Sequence, residues 1–166
     1  MRRGAIRVLG VDPGLKNTGY GILEKKGNRM AYLGSGVIRT SPQKNFPKRL
    51  VKIQKELSQV IATWHPDMMS IEEAIYAQNV RIAIKLGHAR AAAILAAADA
   101  GLEIFEYAPK KIKSSVTGNG RAKKEQLRYM VKNILKTDEI SKSLDESDAL
   151  GAAICHINQF QFTRRI

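Results

Sequence analysis

The first forty residues contain three short stretches of apolar and β-branched residues that are separated by turn residues. Pro13-Gly14 follows the first stretch, and Gly27-Asn28 divides the second from the third. Such stretches predict β-strands over residues 6–12, 18–25 and 29–39. The tight connection between the last two predicts an antiparallel meander, with Asp12 at the carboxyl end of the first strand.

Beyond residue 45 the apolar positions first follow a helical period. They recur at three- and four-residue steps from 46 to 64, which predicts an amphipathic helix that His65-Pro66 ends. A short apolar strand is predicted at 68–72, an alanine-rich helix at 79–100 and a fifth strand at 103–107. Alanines 91–93 and 96–98 make that helix a candidate subunit interface, although an ordinary core helix fits them nearly as well.

Helices account for the last third of the chain. Pro109 opens a short basic helix that breaks at 117–120, and a second helix is predicted over 121–136. Ser143 or Asp145 caps a final helix that runs through about Phe160. This order predicts an α/β fold, with a mixed five-stranded sheet flanked by helices. We expect one domain over residues 1–160 and a short basic tail over 161–166.

Composition narrows the class of protein. The 166 residues are 44% hydrophobic, enough for one domain with an ordinary core. The longest apolar run, 91–98, is far shorter than the roughly 20 residues that cross a bilayer, and we see no signal peptide. The one cysteine, Cys155, can form no internal disulfide. These features predict a cytoplasmic protein without a membrane segment.

The charge points to a polyanionic partner. The chain has 28 lysines and arginines against 15 acidic residues, a formal net charge of +13. Eight basic residues and one acidic residue fall between 110 and 132, so the excess is local, as a docking face requires. Nucleic acid is the commonest partner of a basic domain of this kind, and a solvated surface is the alternative interpretation.

Four carboxylates are candidates for chemistry. Asp12 ends the first strand, Glu72 ends the fourth, and Asp145 and Asp148 share one face of the last helix. Side chains alternate along a strand, so only one of Glu72 and Glu73 faces a site shared with Asp12, and we favour Glu72. Three of the acids also have a purely structural interpretation, as a turn residue at Asp12 or as a helix-terminal charge at Asp145 and Asp148.

Four acids beside a basic surface suggest a nuclease that uses metal ions. Paired divalent cations activate water and neutralise a phosphodiester, and carboxylates are the ligands that Mg²⁺ prefers. We therefore expect two Mg²⁺ ions per site, with Mn²⁺ as a substitute. The three histidines have no metal-ligand spacing and are interpreted as structural or surface residues: His65, His88 and His156.

Six motifs occur in order along the chain: Leu9-Gly10-Val11-Asp12-Pro13-Gly14, Thr18-Gly19-Tyr20-Gly21, Ser70-Ile71-Glu72-Glu73, Lys85-Leu86-Gly87-His88-Ala89-Arg90, Val116-Thr117-Gly118-Asn119-Gly120 and Asp145-Glu146-Ser147-Asp148-Ala149-Leu150. From Ile6 to about Asn158 they resemble those of the bacterial RuvC Holliday-junction resolvases. The resemblance implies an RNase H-like fold and a homodimeric, magnesium-dependent endonuclease that resolves four-way junctions in recombination and repair. It also implies the RuvA and RuvB branch-migration proteins as partners.

The resemblance also assigns roles to residues of this sequence. It implies metal binding by Asp12, Glu72, Asp145 and Asp148, and functional lysines at Lys113 and Lys124. Some family members carry histidine at the position of Asp145, so that acid should tolerate exchange better than Asp148. Where the family commonly has an aromatic that probes the junction centre, this chain has Ile75 and then Tyr76. The remaining candidate DNA contacts lie in the basic stretch: Lys110, Lys111, Arg121 and Lys123.

The predicted reaction is in-line attack of activated water on the scissile phosphorus, which leaves a 5′-phosphate and a 3′-hydroxyl. Lys124 or Lys113 would hold the phosphate, and a two-fold dimer would supply two paired nicks. Three other functions are weighed. They are a ribonuclease H that acts on RNA:DNA hybrids, a non-catalytic DNA-binding protein and an actin-like phosphotransferase, and the length argues against the last.

Overall fold

The computed structural model describes residues 4–73 and 79–163, with side chains described as far as residue 160. Its strands are β1 (Ala5–Asp12), β2 (Asn17–Lys26), β3 (Arg29–Arg39), β4 (Met68–Glu72) and β5 (Glu103–Tyr107). Its helices are α1 (Phe46–Trp64), α2 (Val80–Asp99), α3 (Pro109–Thr117), α4 (Lys124–Leu135) and α5 (Leu144–Thr163). The predicted α/β class with a mixed sheet is confirmed.

The five strands form one sheet in the order β3-β2-β1-β4-β5. The first three strands pair antiparallel, and the turn at Gly27-Asn28 joins β2 to β3 as predicted. Strand β4 pairs parallel with β1 and with β5, because α1 and α2 carry the chain back to the same end of the sheet. The parallel strands therefore bring the carboxyl ends of β1 and β4 side by side.

Each face of the sheet has its own hydrophobic core. Leu9, Val11 and Met69 pack with α1 and α2 on one face. Val8 and Leu23 pack with α4 and α5 on the other face. Since side chains alternate along a strand, residues of the same parity as Val8 face α5.

The alternation decides where the strand acids point. Asp12 has the parity of Val8, and Glu72 has the parity of Ser70, whose Oγ donates to the Ala152 carbonyl in α5 at 2.7 Å. Both acids therefore leave their strands on the α5 face of the sheet. Glu73 is exposed beyond the end of β4.

The structure corrects one predicted helix start. Helix α4 begins at Lys124 and not at 121, because the Asn119 side chain accepts from the Arg121 backbone N–H at 2.9 Å and continues the turn. Helix α5 begins at Leu144, so of the two predicted caps Ser143 directly precedes the helix and Asp145 lies in its first turn. The helix extends past Phe160 to Thr163, and residues 164–166 of the predicted tail lie outside the described residues.

The alanines of α2 serve mainly this subunit's own core. Ala92, Ala93, Ala96 and Ala97 are buried against the sheet and α1, which agrees with the core-helix interpretation. Ala91 and Ala98 are exposed. The large apolar side chains that α2 exposes are Val80, Ile82, Ile84, Leu86 and Leu95. In the described part of the chain, no helix has the length and apolar character needed to cross a membrane.

Candidate active site

Helix α5 lies directly on the sheet because glycines face it. A Cβ added at Gly10 would lie 1.9 Å from the Ala149 carbonyl oxygen, and one at Gly19 would lie 2.0 Å from that of Asp145. Any side chain at either position would thus push the helix away. Gly10 pairs with Gly21 across the β1–β2 ladder, so the helix meets a patch of bare backbone.

This close approach carries the helix acids to the strand acids. Asp12 and Glu72 end adjacent parallel strands, in a register that pairs Val11 with Ile71. The charges of Asp148, Glu72 and Asp145 all act on Asp12. The four acids predicted from the sequence are therefore brought together on the α5 face, at the carboxyl ends of β1 and β4.

The acids oppose one another's ionisation. Burial, followed by the charges of Asp148 and Glu72, raises the pKa of Asp12 well above its ordinary value. Burial and the charge of Asp148 also raise the pKa of Glu72. Because these pKa values are raised by burial and by neighbouring negative charge, the cluster favours the binding of a proton or a cation.

Two lysines bring positive charge to the acids. Lys124, at the start of α4, donates from Nζ to Asp148 Oδ2 at 2.8 Å. Burial alone would lower the pKa of Lys124, but this hydrogen bond and the charges of Asp148 and Asp12 raise it. Lys113, on α3, lowers the pKa of Glu72 and of Asp148, although burial raises the Asp148 pKa overall.

The other predicted DNA contacts are more peripheral. Four basic residues are exposed along α3 and the turn into α4: Lys110, Lys111, Arg121 and Lys123. The candidate junction wedge, Ile75 or Tyr76, lies outside the described residues.

The donor set fits a hard divalent cation in its chemistry. Four carboxylates supply only oxygen ligands, and a bound cation would offset the repulsion between their negative charges. As arranged in residues 4–73 and 79–163, no three His, Cys, Asp or Glu side chains are grouped to hold an ion. Binding therefore requires the carboxylates to adjust, and it is favoured when they are deprotonated.

Sequence reasoning overlooked residues that support the site. Arg90, from α2, donates from Nε to the Glu72 backbone oxygen at 3.2 Å. Thr18 donates to the Gly14 carbonyl at 2.7 Å and closes the turn after Asp12. Glycines within predicted strands were the available signal for the close approach of α5, since glycine there marks contact with another backbone.

The remaining candidate groups are structural. Cys155 is fully buried. His156 is buried as well, with Nδ1 at 2.8 Å from the Tyr107 hydroxyl, and burial lowers the pKa of its imidazole to about 4. A neutral, enclosed histidine of this kind serves packing.

The raised pKa values predict how stability depends on pH without divalent ions. A carboxyl whose pKa is higher in the folded than in the unfolded state binds more protons when folded, so raising the pH destabilises the fold. The ordinary pKa values are 3.8 for Asp12 and 4.5 for Glu72. As the pH rises above these ordinary pKa values and passes through the raised pKa values of the folded protein, we expect the contribution of the two acids to the free energy of unfolding to fall.

Urea unfolding in EDTA, from pH 4 upward, measures the effect. Asp12→Asn should flatten the decline, because it removes the most strongly perturbed acid. Mg²⁺ should restore more stability at pH 8 than at pH 5, since protons compete with the ion. Identical pH profiles for Asp12→Asn and the unsubstituted protein would contradict the assignment.

The family model that matches this chain and two of its relatives carry the same family description. The family model described as crossover junction endodeoxyribonuclease RuvC matches residues 8–156. The chain is 49% identical over 156 residues to the protein of that name from Trichlorobacter lovleyi, covering 94% of this chain and 87% of that one. It is 48% identical over 153 residues to the one from Geobacter metallireducens, covering 92% and 93%.

Solved structures agree. Thermus thermophilus RuvC in complex with Holliday junction substrate superposes with a TM-score of 0.89 at 30% identity, over 95% of this chain and 96% of that one. The yeast mitochondrial Holliday junction resolvase, at 13% identity and a TM-score of 0.68 over 96% and 82% of the two chains, shares the fold. The chain therefore belongs to the RuvC family of crossover junction endodeoxyribonucleases.

Proposed function

We propose that this chain is a metal-dependent endonuclease that resolves four-way DNA junctions by paired symmetric nicks in recombination and repair. The observation that carries the proposal is the convergence of four carboxylates beside Lys113 and Lys124. The family to which the chain belongs supports it. Asp12, Glu72, Asp145 and Asp148 would hold two Mg²⁺ ions, or Mn²⁺ in their place.

The residues of the chain have distinct parts in the reaction. Bound divalent cations would supply activation of water and neutralisation of the phosphodiester. The four carboxylates would coordinate these cations in a partly buried site, so the region that receives the scissile phosphate is strongly polar. Lys124 lies against Asp148 and can turn its ammonium group to a phosphate oxygen as negative charge develops. The products would carry a 5′-phosphate and a 3′-hydroxyl.

The proposed activity is tested with a labelled synthetic four-way junction. Incubation with Mg²⁺ should give paired symmetric nicks, and end-labelling should find ligatable 5′-phosphates. EDTA should prevent cleavage. Equal or faster cutting of an RNA:DNA hybrid would favour the ribonuclease H alternative, and binding with no cutting in Mg²⁺ or Mn²⁺ would favour a non-catalytic DNA-binding protein.

Lys113 provides a test of phosphate contact. Lys113→Ala should weaken junction binding and reduce the slope of log affinity against log salt concentration by about 0.9, because one fewer counterion is released. Binding is measured by gel shift in EDTA at several salt concentrations. Lys55→Ala, on α1 at the opposite face of the sheet, is the control. A slope unchanged by Lys113→Ala would contradict the contact.

We further propose that the protein acts as a homodimer through the exposed apolar residues at the start of α2. Val80, Ile82 and Ile84 are 68%, 53% and 54% exposed, unusual for large aliphatic side chains. A two-fold dimer would provide one site for each strand of a symmetric junction.

The dimer is tested with Ile84→Glu. A buried, unpaired carboxylate should break the interface, so sedimentation velocity should show a monomer and paired nicks should become single. Tyr129→Glu alters a side chain 67% exposed on α4 and is the control. A dimer retained by Ile84→Glu would contradict this interface. Partnership with RuvA and RuvB and a cytoplasmic location stay predictions.

A further inference from the structure

A second carboxylate in the first turn of α5 is fully occupied by hydrogen bonds. Glu146 is 7% exposed and lies between Asp145 and Asp148 in sequence. It accepts from the Ser141 hydroxyl at 2.6 Å, from the Ser141 backbone N–H at 3.3 Å and from the Ser35 hydroxyl at 2.9 Å. Its partners therefore come from the segment before α5 and from β3.

A bulge in β3 makes the contact with Ser35 possible. Gly34 pairs with Ile22 and Tyr32 pairs with Leu23, so Leu33 is an extra residue without a partner in the ladder. In a regular strand, residues three apart face opposite sides. The extra residue reverses this relation, and Tyr32 and Ser35 lie on one side with their hydroxyl oxygens 2.9 Å apart.

These contacts complete the placement of α5. The glycine contacts at Asp145 and Ala149 set the height of the helix above the sheet, and the buried residues from Ala149 to Ile157 fix the orientation of its later turns. In the first turn, the hydrogen bonds that Glu146 accepts from Ser35 and Ser141 hold the helix to β3 and to the preceding segment. The carboxylates of Asp145 and Asp148 are attached to the same helical turn, so their direction follows that of Glu146.

We propose that Glu146 is a positioning residue for the divalent-cation site. Through Ser35 and Ser141 it fixes the rotation of the first turn of α5, and hence the direction in which Asp145 and Asp148 present their oxygens to an ion. Groups that orient metal ligands typically affect metal affinity by about 10- to 100-fold when removed. The inference rests on the proposed function, in which those acids bind the ion.

The experiment measures Mn²⁺ binding by calorimetry on the full chain, with junction affinity in EDTA as a second measurement. Glu146→Ala should weaken Mn²⁺ binding about 10-fold, while the dissociation constant for the junction stays unchanged within error. Glu146→Gln retains the shape of the side chain and should recover most of the Mn²⁺ affinity. Glu125→Ala removes an exposed acid from the first turn of α4 and is the matched control.

The outcomes separate the two proposals. Unaltered Mn²⁺ affinity in a folded Glu146→Ala variant would overturn the positioning role, as would a loss that Glu146→Gln does not recover. If Glu146→Ala fails to fold, Ser35→Ala decides, because it removes one hydrogen bond and should still weaken Mn²⁺ binding severalfold. Failure of the unsubstituted protein to bind Mn²⁺ would overturn the proposed function itself.

Discussion

Asp148→Asn is expected to lower the rate of junction cleavage by about 10³-fold or more, the range seen when a group of a catalytic set is removed. The Asp148 side chain is 11% exposed and lies among the other acids, with Lys124 on one oxygen. Asparagine keeps the shape and can still accept from Lys124, but it removes the negative charge that a divalent cation needs. Junction binding should remain, because Asp148 contributes no phosphate contact.

Cleavage is measured at saturating protein with Mg²⁺, and binding by gel shift in EDTA. Asp138→Asn makes the same chemical change at a fully exposed site and should cut at the normal rate. Retained cleavage by Asp148→Asn would remove Asp148 from the mechanism. A parallel loss of binding would assign it instead to the fold or to the DNA surface.

Gly10→Ala is expected to lower the free energy of unfolding by about 3 kcal/mol, the upper part of the range for overpacking a close contact. The new methyl carbon would lie 1.9 Å from a backbone oxygen of α5, and backbone cannot move aside as a side-chain end can. The helix must shift, so Asp148 moves away from Asp12 and Mg²⁺-dependent cleavage should fall too.

Urea unfolding provides the measurement. Gly87→Ala is the control, because a Cβ at that position in α2 meets nothing within 4 Å. Alanine is the better helix former, so this variant should be as stable as the unsubstituted protein or more stable by up to about 1 kcal/mol. If Gly10→Ala were as stable as the unsubstituted protein, the position of α5 on the sheet would not depend on the absence of a side chain at residue 10 of β1.

Local patterns were sufficient for most of the fold. The predicted bounds of β3, α1, β4 and β5 agree with the structure, because turn and helix-ending residues mark them. The start of α4 was placed too early, since Arg121 and Lys123 are good helix formers and the turn made by Asn119 depends on its side-chain geometry. The preference for Glu72 over Glu73 agrees with the alternation of side chains in β4.

Non-local contacts could not be predicted in the same way. The hydrogen bond between Ser35 and Glu146 joins residues 111 apart in sequence. It depends on a bulge in β3 that no pattern in the sequence of that strand indicates. The depth at which α5 sits depends on which helix residue meets Gly10 and Gly19. Strand ends, helix spacing and then the motif resemblance all predicted the same four acids, and only the packed backbone shows how they are brought together.

The contact between α5 and the glycines of β1 and β2 has a mechanical consequence. The main chain of the helix touches the main chain of the sheet, with few side-chain atoms between them. The distance between the strand acids and the helix acids is therefore set by backbone atoms in contact and by two stiff hydrogen-bonded frameworks. Rotamer changes elsewhere in the core should alter this distance little. A site built on such a contact should keep its dimensions when side chains around it change conformation.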